Sequence, residues 1–362
     1  EVSAEGASNT QDYAIDAGAV QYLARVLGNQ SVVDAFAPYA AMYRNVWDNV
    51  SSFFCPRFEN GSFWCPDPLL TYPFEHSYTE GDGWQYRWYV PQDVRGLIQL
   101  FPSTTSFVDA LYEFFDFSYL WPLNTTLPNP YFWAGNEPDL QTPMLFNWAG
   151  NEYAYLTSEV FPQLLDTYYF PFAAGTPGND DYGAMAAWCF WGYVGIFPMV
   201  PSDEYALFAP RFDRIDFTLS QQELSLSPWK HVKAAGGNQR TTTVSIRCYN
   251  RPLTGAVYVA NVSLNGIPLT SPIVTHAQLL QASTQRGEAT LLEFYLVGEP
   301  TVFGAPPPSM GGPPVHKPVL QRKQTNILAA DKRAPSENDV LQTLKKHRLG
   351  KLRKMTPHSR RV

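Results

Sequence analysis

The sequence predicts a mainly α-helical body followed by a β-rich segment. Two observations carry this. Apolar residues recur at helical spacing from residue 12 to about residue 197, and from residue 210 to 300 they alternate instead. A third sets the scale: 362 residues are enough to bury a sizeable core.

The elements follow in order. "DYAIDAGAVQYLARVLG" reads as a helix stopped by Gly28, and "SVVDAFAPYAAMYRNVWD" as a second helix capped by Ser31, the two forming an antiparallel pair. Further helices are expected at "VRGLIQLF", "TSFVDALYEFFDF", "PMLFNWAGN", "TSEVFPQLLDTYYF" and "YGAMAAWCFWGYVGIF". The loops between them are long and rich in Pro, Gly, Asn and Trp, the kind of connection that carries function. Strands are expected at "RIDFTLS", "TTTVSIRCY", "AVYVANVSLNGIPL" and "TLLEFYLV", about six in all, with Asn265-Gly266 marking a turn. From Thr301, "APPPSMGGPPVHKP" and the basic sequence after it read as a linker and a disordered tail, with a short helix at "NDVLQTLKKHRLGKLRK". The expected divisions are therefore 1–209, 210–300 and 301–362.

Charge narrows the partners. From Lys317 onward there are 13 basic residues against 3 acidic ones, which leaves 13 basic against 30 acidic in the preceding body. So acidic a body is poorly suited to nucleic acid or an anionic membrane, and suits a neutral or cationic ligand or a metal ion. No run of 18 apolar residues announces a transmembrane segment, and the opening residues lack the pattern of a signal peptide. Five Asn-x-Ser/Thr sequons nevertheless point to the secretory pathway, with an extracellular or lysosome-like destination: they begin at Asn29, Asn49, Asn60, Asn124 and Asn261. Cys55 and Cys65 flank a short loop that a disulfide could close; buried free thiols are the alternative.

Three loop stretches concentrate carboxylates, amides and Trp: "YTEGDGWQYRWYVPQDVRG", "WAGNEPDLQTP" and "PGNDDYGAM". None has zinc-ligand spacing, and neither a nucleophile elbow nor a phosphate-cradling loop is present. Oxygen donors dominate, so a bound metal would be a hard ion such as calcium. Acids on separate glycine-flanked loops among Trp and Tyr, at 15% aromatic content, suit hydrolysis of a glycosidic bond. One carboxylic acid protonates the leaving oxygen while a second carboxylate activates water or attacks the sugar, and Trp rings offer a face for stacking. The plainer reading is that Asp and Asn beside Gly only shape turns.

These motifs, together with "VYVANVSLNGIPLTSPIVTHAQLL" and the opening helix pair, resemble glycoside hydrolase family 92, the calcium-dependent exo-acting α-mannosidases, over roughly residues 12 to 300. The resemblance implies an (α/α)6 toroid, an inverting mechanism, a Ca2+ cofactor and mannose-terminated glycans or glycoproteins as substrates. By it Glu80 matches the general acid, Asp181 the general base, and Asn179 or Asp180 assists. Asn136 and Glu137 match the calcium-associated loop. Trp84, Gln85 and Asp93 are candidate substrate or metal contacts, and Trp88 and Trp133 are either sugar platforms or wall packing. Members carry an N-terminal β-sandwich and early toroid helices that are not found here. The resemblance therefore implies the later part of the toroid, with a second chain as an expected partner for the first half. The alternative is a non-catalytic carbohydrate-binding or structural protein.

Overall fold

A computed structural model describes residues 5–69, 76–120, 129–221, 240–280 and 289–319. The chain opens with α1 (Gly6–Val26) and α2 (Gln30–Ala40), joined through Gly28 at φ +69°. The cap of α2 is Asn29, not the expected Ser31. Its side-chain oxygen accepts the Val32 amide at 3.3 Å, so the helix starts two residues earlier than expected. Two short strands, β1 (Trp47–Asp48) and β2 (Phe53–Phe54), pair antiparallel, and the disulfide between Cys55 and Cys65 closes the loop that follows.

Helical turns then alternate with loops. These are α3 (Gly83–Tyr86), α4 (Val94–Ile98), the long α5 (Thr104–Leu120), α6 (Phe146–Ala149), α7 (Tyr155–Tyr168) and α8 (Ala184–Val194). Two expectations need correction. "PMLFNWAGN" forms a 3-10 turn at Thr142–Met144 and the single turn α6, broken at Gly150 with φ 137°. The end of "YGAMAAWCFWGYVGIF" leaves the helix at Gly195, φ 79°, and Ile196–Pro198 is strand β3.

The helices pack on an aromatic core. Trp88, Phe107, Phe114, Phe115, Phe146 and Phe161 are fully buried within one cluster. α7 and α8 meet where Trp188 stacks on Phe161 at 4.3 Å and on Tyr169 at 5.3 Å. Burying rings of this size dominates core energetics, at roughly 3–5 kcal/mol for truncation of one to Ala.

The β-rich part holds β4 (Glu204–Leu207), β5 (Arg214–Gln221), β6 (Arg240–Tyr249), β7 (Tyr258–Leu264), β8 (Ile267–Pro268), β9 (Ile273–Thr275) and β10 (Thr290–Val297). Five of them form one sheet in the order β5-β6-β10-β7-β8, with β10 parallel to β6 and antiparallel to β7. Alternation does what the sequence pattern says: Val244, Ile246, Val262, Leu292 and Phe294 turn into a second core cluster. The remaining sheet, β3-β4-β9, straddles residue 209, because β9 returns to pair with β4.

The expectation of a linker from Thr301 is overturned for the residues up to Val319. Thr301 and Phe303 are buried; the Phe303 amide donates to the Asn151 carbonyl at 3.0 Å, and the Phe303 carbonyl accepts from Asn151 Nδ2 at 3.3 Å. Farther on, His316 Nε2 lies 2.9 Å from Asp109 Oδ1, its ring meets Tyr153 edge-on, and its carbonyl accepts the Tyr155 hydroxyl at 2.6 Å. Proline fixes the backbone at little entropic loss, so a Pro-rich strand can lie along a surface as an ordered strap. The basic segment beyond it, with its expected helix, lies outside the described residues.

Candidate functional site

The first of the three loops is anchored from below. Asp82 caps α3, its Oδ1 accepting the Trp84 and Gln85 amides at 2.9 and 3.1 Å. Ser8 on α1 bonds Thr79, and Gln11 donates to the Tyr86 and Tyr89 carbonyls at 2.9 and 3.1 Å. Between these anchors Glu80 is exposed and sits at φ 51°, in the left-handed region that non-glycine residues avoid.

The second loop, residues 129–142, carries the amides that tie the site together. Asn136 Nδ2 donates to the Glu80 carbonyl at 3.2 Å and to Gln85 Oε1 at 3.4 Å, and Gln85 Nε2 in turn reaches the Asn129 carbonyl at 3.2 Å. A 3-10 turn at Glu137–Asp139 follows, in which Glu137 points to solvent and Asp139 is wholly buried, its Oδ2 accepting the Trp133 amide at 2.8 Å.

The third loop crosses the second at Gly135, where an added Cβ would lie 3.0 Å from the Pro177 carbonyl oxygen. A side chain there would need this carbonyl and the Trp133 ring, whose Nε1 lies 2.9 Å from the same point, to give way. Asn179 and Asp180 come next, both exposed. Asp180 organises the turn into α8: its carbonyl accepts the Gly183 and Met185 amides and its Oδ1 accepts the Ala186 amide at 3.0 Å. Asp181 and Tyr182 are thereby held at φ 45° and 56°, again left-handed. The two candidate acids, Glu80 and Asp181, thus share an unfavourable backbone state on loops linked through Asn136 and Gly135. Such strain concentrates at functional sites.

Other expected residues have different work. Trp88 is 0% exposed in the aromatic core, which is the wall-packing alternative of the two expected for it. Asp93 caps α4, accepting the Gly96 amide at 2.9 Å, and also takes the Tyr43 hydroxyl at 2.7 Å and pairs with Arg44. That carboxylate is a structural one. Trp84 is wedged edge-on against Phe53 and Tyr131, at 5.1 and 5.3 Å, and Trp133 is half-buried against Tyr168. Gln85 is buried, and its Oε1 accepts from Asn136.

Three buried charges escaped the sequence reading. Burial holds the Asp82 and Asp139 carboxyls well above the usual range, and Asp139 pushes Asp82 further. Arg87 lies among the rings of Phe53, Trp84, Trp88 and Phe101, 4.6 to 5.4 Å from their centres, and burial pushes it down to about 10. Sequence offered one signal: Asp82 stands two residues before Trp84 in an Asp-Gly start to a helical turn, a capping pattern.

Of the sequons, Asn29, Asn49 and Asn60 are exposed, Asn261 is half-buried on β7, and Asn124 lies outside the described residues. Among the described residues no helix is long and apolar enough to cross a membrane. The one cluster of three His, Cys, Asp or Glu side chains there is Asp48 with Cys55 and Cys65, whose sulfurs are already joined.

Comparison with known proteins bears on this arrangement. Residues 1–289 match the glycosyl hydrolase family 92 catalytic domain. A protein of Arthroderma benhamiae described as an uncharacterized secreted glycosidase is 26% identical over 274 residues, covering 72% of this chain and 30% of that protein. A family 92 α-mannosidase from Bacteroides thetaiotaomicron superposes with a TM-score of 0.66 at 23% identity, over 86% of this chain and 38% of its own. A second protein from that organism, described as an inverting mannosidase, superposes with a TM-score of 0.63 at 21% identity, over 82% and 38%. The chain therefore spans less than half the length of these relatives.

Proposed function

Because the chain belongs to glycosyl hydrolase family 92, we propose that it hydrolyses terminal α-linked mannose from glycans on the secretory route, as the later part of an (α/α)6 toroid. The reaction proceeds with inversion and depends on calcium. The observation that carries this reading is the pair Glu80 and Asp181: both are left-handed, and both stand on loops joined through Asn136 and Gly135.

In this mechanism Glu80 is the general acid. It gives its proton to the glycosidic oxygen as the bond from that oxygen to the anomeric carbon breaks. Asp181 is the general base. It takes a proton from a water that attacks the same carbon from the opposite face, so one proton is delivered and one received in each turnover. Asp180 sets the direction of Asp181 by holding the turn into α8, and Asn179, exposed on the same loop, assists.

The second loop suits a hard cation by its donor chemistry. Asn136 directs its Nδ2 to the Glu80 carbonyl and to Gln85, which turns its Oδ1 to the other side, and Glu137 adds an exposed carboxylate. These two residues would hold calcium, which when bound supplies positive charge to orient the sugar hydroxyls and ease ring distortion.

The test is turnover of an aryl α-mannoside with and without a calcium chelator. Release should stop on chelation, return with calcium, and fall at least about 100-fold in Glu80→Gln and Asp181→Asn. Turnover that survives both substitutions would overturn the assignment.

A further inference from the structure

Of the sequons among the described residues, Asn261 alone stands on a strand, where register fixes its neighbours. On β7 it pairs with Tyr295 of the antiparallel β10, and Tyr295 pairs in turn with Tyr249 of β6. Residues paired directly across antiparallel strands share a face of the sheet, with Cβ atoms about 4.5–5.5 Å apart. The Tyr249 and Tyr295 rings stack with 5.3 Å between their centres. The three side chains therefore form one row across three strands. The row lies on the outer face, since the alternate residues Val262, Leu292, Phe294 and Leu296 turn into the core and Tyr249 is 41% exposed.

The polar groups beside this row are already partnered. Glu293 accepts the Ser263 hydroxyl at 2.9 Å and the Tyr249 hydroxyl at 3.2 Å, and Arg214 and Arg247 both pair with Asp216. The Asn261 amide differs: among the described residues its side chain has no hydrogen bond. The row thus leaves open an amide nitrogen belonging to a sequon and, directly across from it, an aromatic surface held in place by stacking and by Glu293. Aromatic rings of this kind offer the flat apolar area that the C–H face of a sugar covers. A sugar bonded to Asn261 Nδ2 is tethered beside that surface, so stacking orders little that is not already ordered.

We propose that Asn261 carries an N-linked glycan whose first sugar, an N-acetylglucosamine, stacks on Tyr295, with Tyr249 backing the ring. The attachment is made by the oligosaccharide transferase of the secretory route. Asn261 Nδ2 attacks C1 of a lipid-diphosphate oligosaccharide. The C1–N bond forms as the C1–O bond to the diphosphate breaks, the diphosphate leaves with the bonding electrons, and Nδ2 gives up one proton to the transferase. Ser263, whose hydroxyl completes the sequon, is 6% exposed in the folded sheet, so attachment precedes the pairing of β7 with β10. The inference shares only the secretory route with the hydrolase reading and does not depend on turnover.

The experiment expresses the protein in a eukaryotic secretory host and maps its glycopeptides by mass spectrometry. Asn261 should be occupied. With isotope-labelled N-acetylglucosamine and glycans trimmed to the first sugar, proton NMR of the glycoprotein should show one set of sugar C–H signals moved upfield by tyrosine ring currents. That set should be missing in Asn261→Gln, return to ordinary positions in Tyr295→Ala, and stay upfield in Tyr295→Phe. Asn261→Gln should also melt about 2–4 °C below the wild type, and should lower the melting temperature of Tyr295→Ala no further. If Tyr295→Ala does not fold, the wild-type signals decide alone: upfield supports the platform and ordinary positions overturn it. A bare Asn261 beside occupied Asn29, Asn49 or Asn60 would overturn the proposal and leave the secretory route standing. Sequons bare throughout would overturn both.

Discussion

The Asn136 side chain donates to the backbone carbonyl of Glu80 at 3.2 Å, and this bond fastens the loop of the proposed calcium residues to that of the proposed acid. Neither residue is near the other in sequence. The bond fixes the Glu80 backbone in the left-handed state while leaving its carboxylate in solvent.

That relationship makes Asn136→Ala doubly damaging. Loss of a largely buried amide that serves both Glu80 and Gln85 should lower stability by about 1–3 kcal/mol. It should also cut turnover even at saturating calcium, since the acid loses its mooring. Chemical denaturation alongside kcat at high calcium checks both.

Backbone strain separates Glu80→Gly from Glu80→Ala. Glycine relieves the left-handed penalty, and part of that gain is offset by its greater freedom in the unfolded chain, for a net increase of about 0.5–1 kcal/mol. Alanine keeps the strain and gives no gain. Both variants should be inactive, and paired melting curves would show the gap.

Asp139 should respond to pH. Its folded-state affinity for protons is raised by burial, so the folded state binds more protons than the unfolded one above the ordinary carboxylate range, and stability declines as pH rises through that window. Asp139→Asn has no such dependence. The variant should match the wild type most closely in acid and outlast it increasingly toward neutral pH, with urea midpoints at several pH values as the readout.

The strap should be structural. Phe303 is 3% exposed within the sheet core, so Phe303→Ala is expected to cost about 3–5 kcal/mol. His316→Ala, which loses one partly exposed pair with Asp109, should cost no more than about 1 kcal/mol. Denaturant unfolding of the two variants tests this ranking.

How far the sequence could be read depends on the range of the interaction. Local periodicity placed α5, α7 and the strands β5, β6 and β10 to within a few residues, because each is decided by neighbours a few positions away, whereas α1 starts at Gly6, six residues before the expected Asp12. The three candidate loops stood out through Gly, Asp, Asn and Trp, and the structure brings them together. What local pattern could not show is which side chains reach solvent. Trp88 and Trp133 look alike in sequence, yet the first lies in the core because Phe101, Phe107 and Phe114 converge on it from distant positions. The strap was misread for a similar reason. Proline-rich composition signals the absence of helix and strand, and says nothing of docking partners 160 or more residues away, such as Asp109 and Tyr155.

The central claim is that Glu80 and Asp181 act together as acid and base on a terminal mannoside. The most direct measurement is the anomeric form of the first mannose released, followed by proton NMR before mutarotation, in the calcium-loaded protein. The account expects β-mannose from an α-linked substrate, and none from Glu80→Gln or Asp181→Asn. Release of α-mannose, or of β-mannose undiminished in either variant, would contradict it.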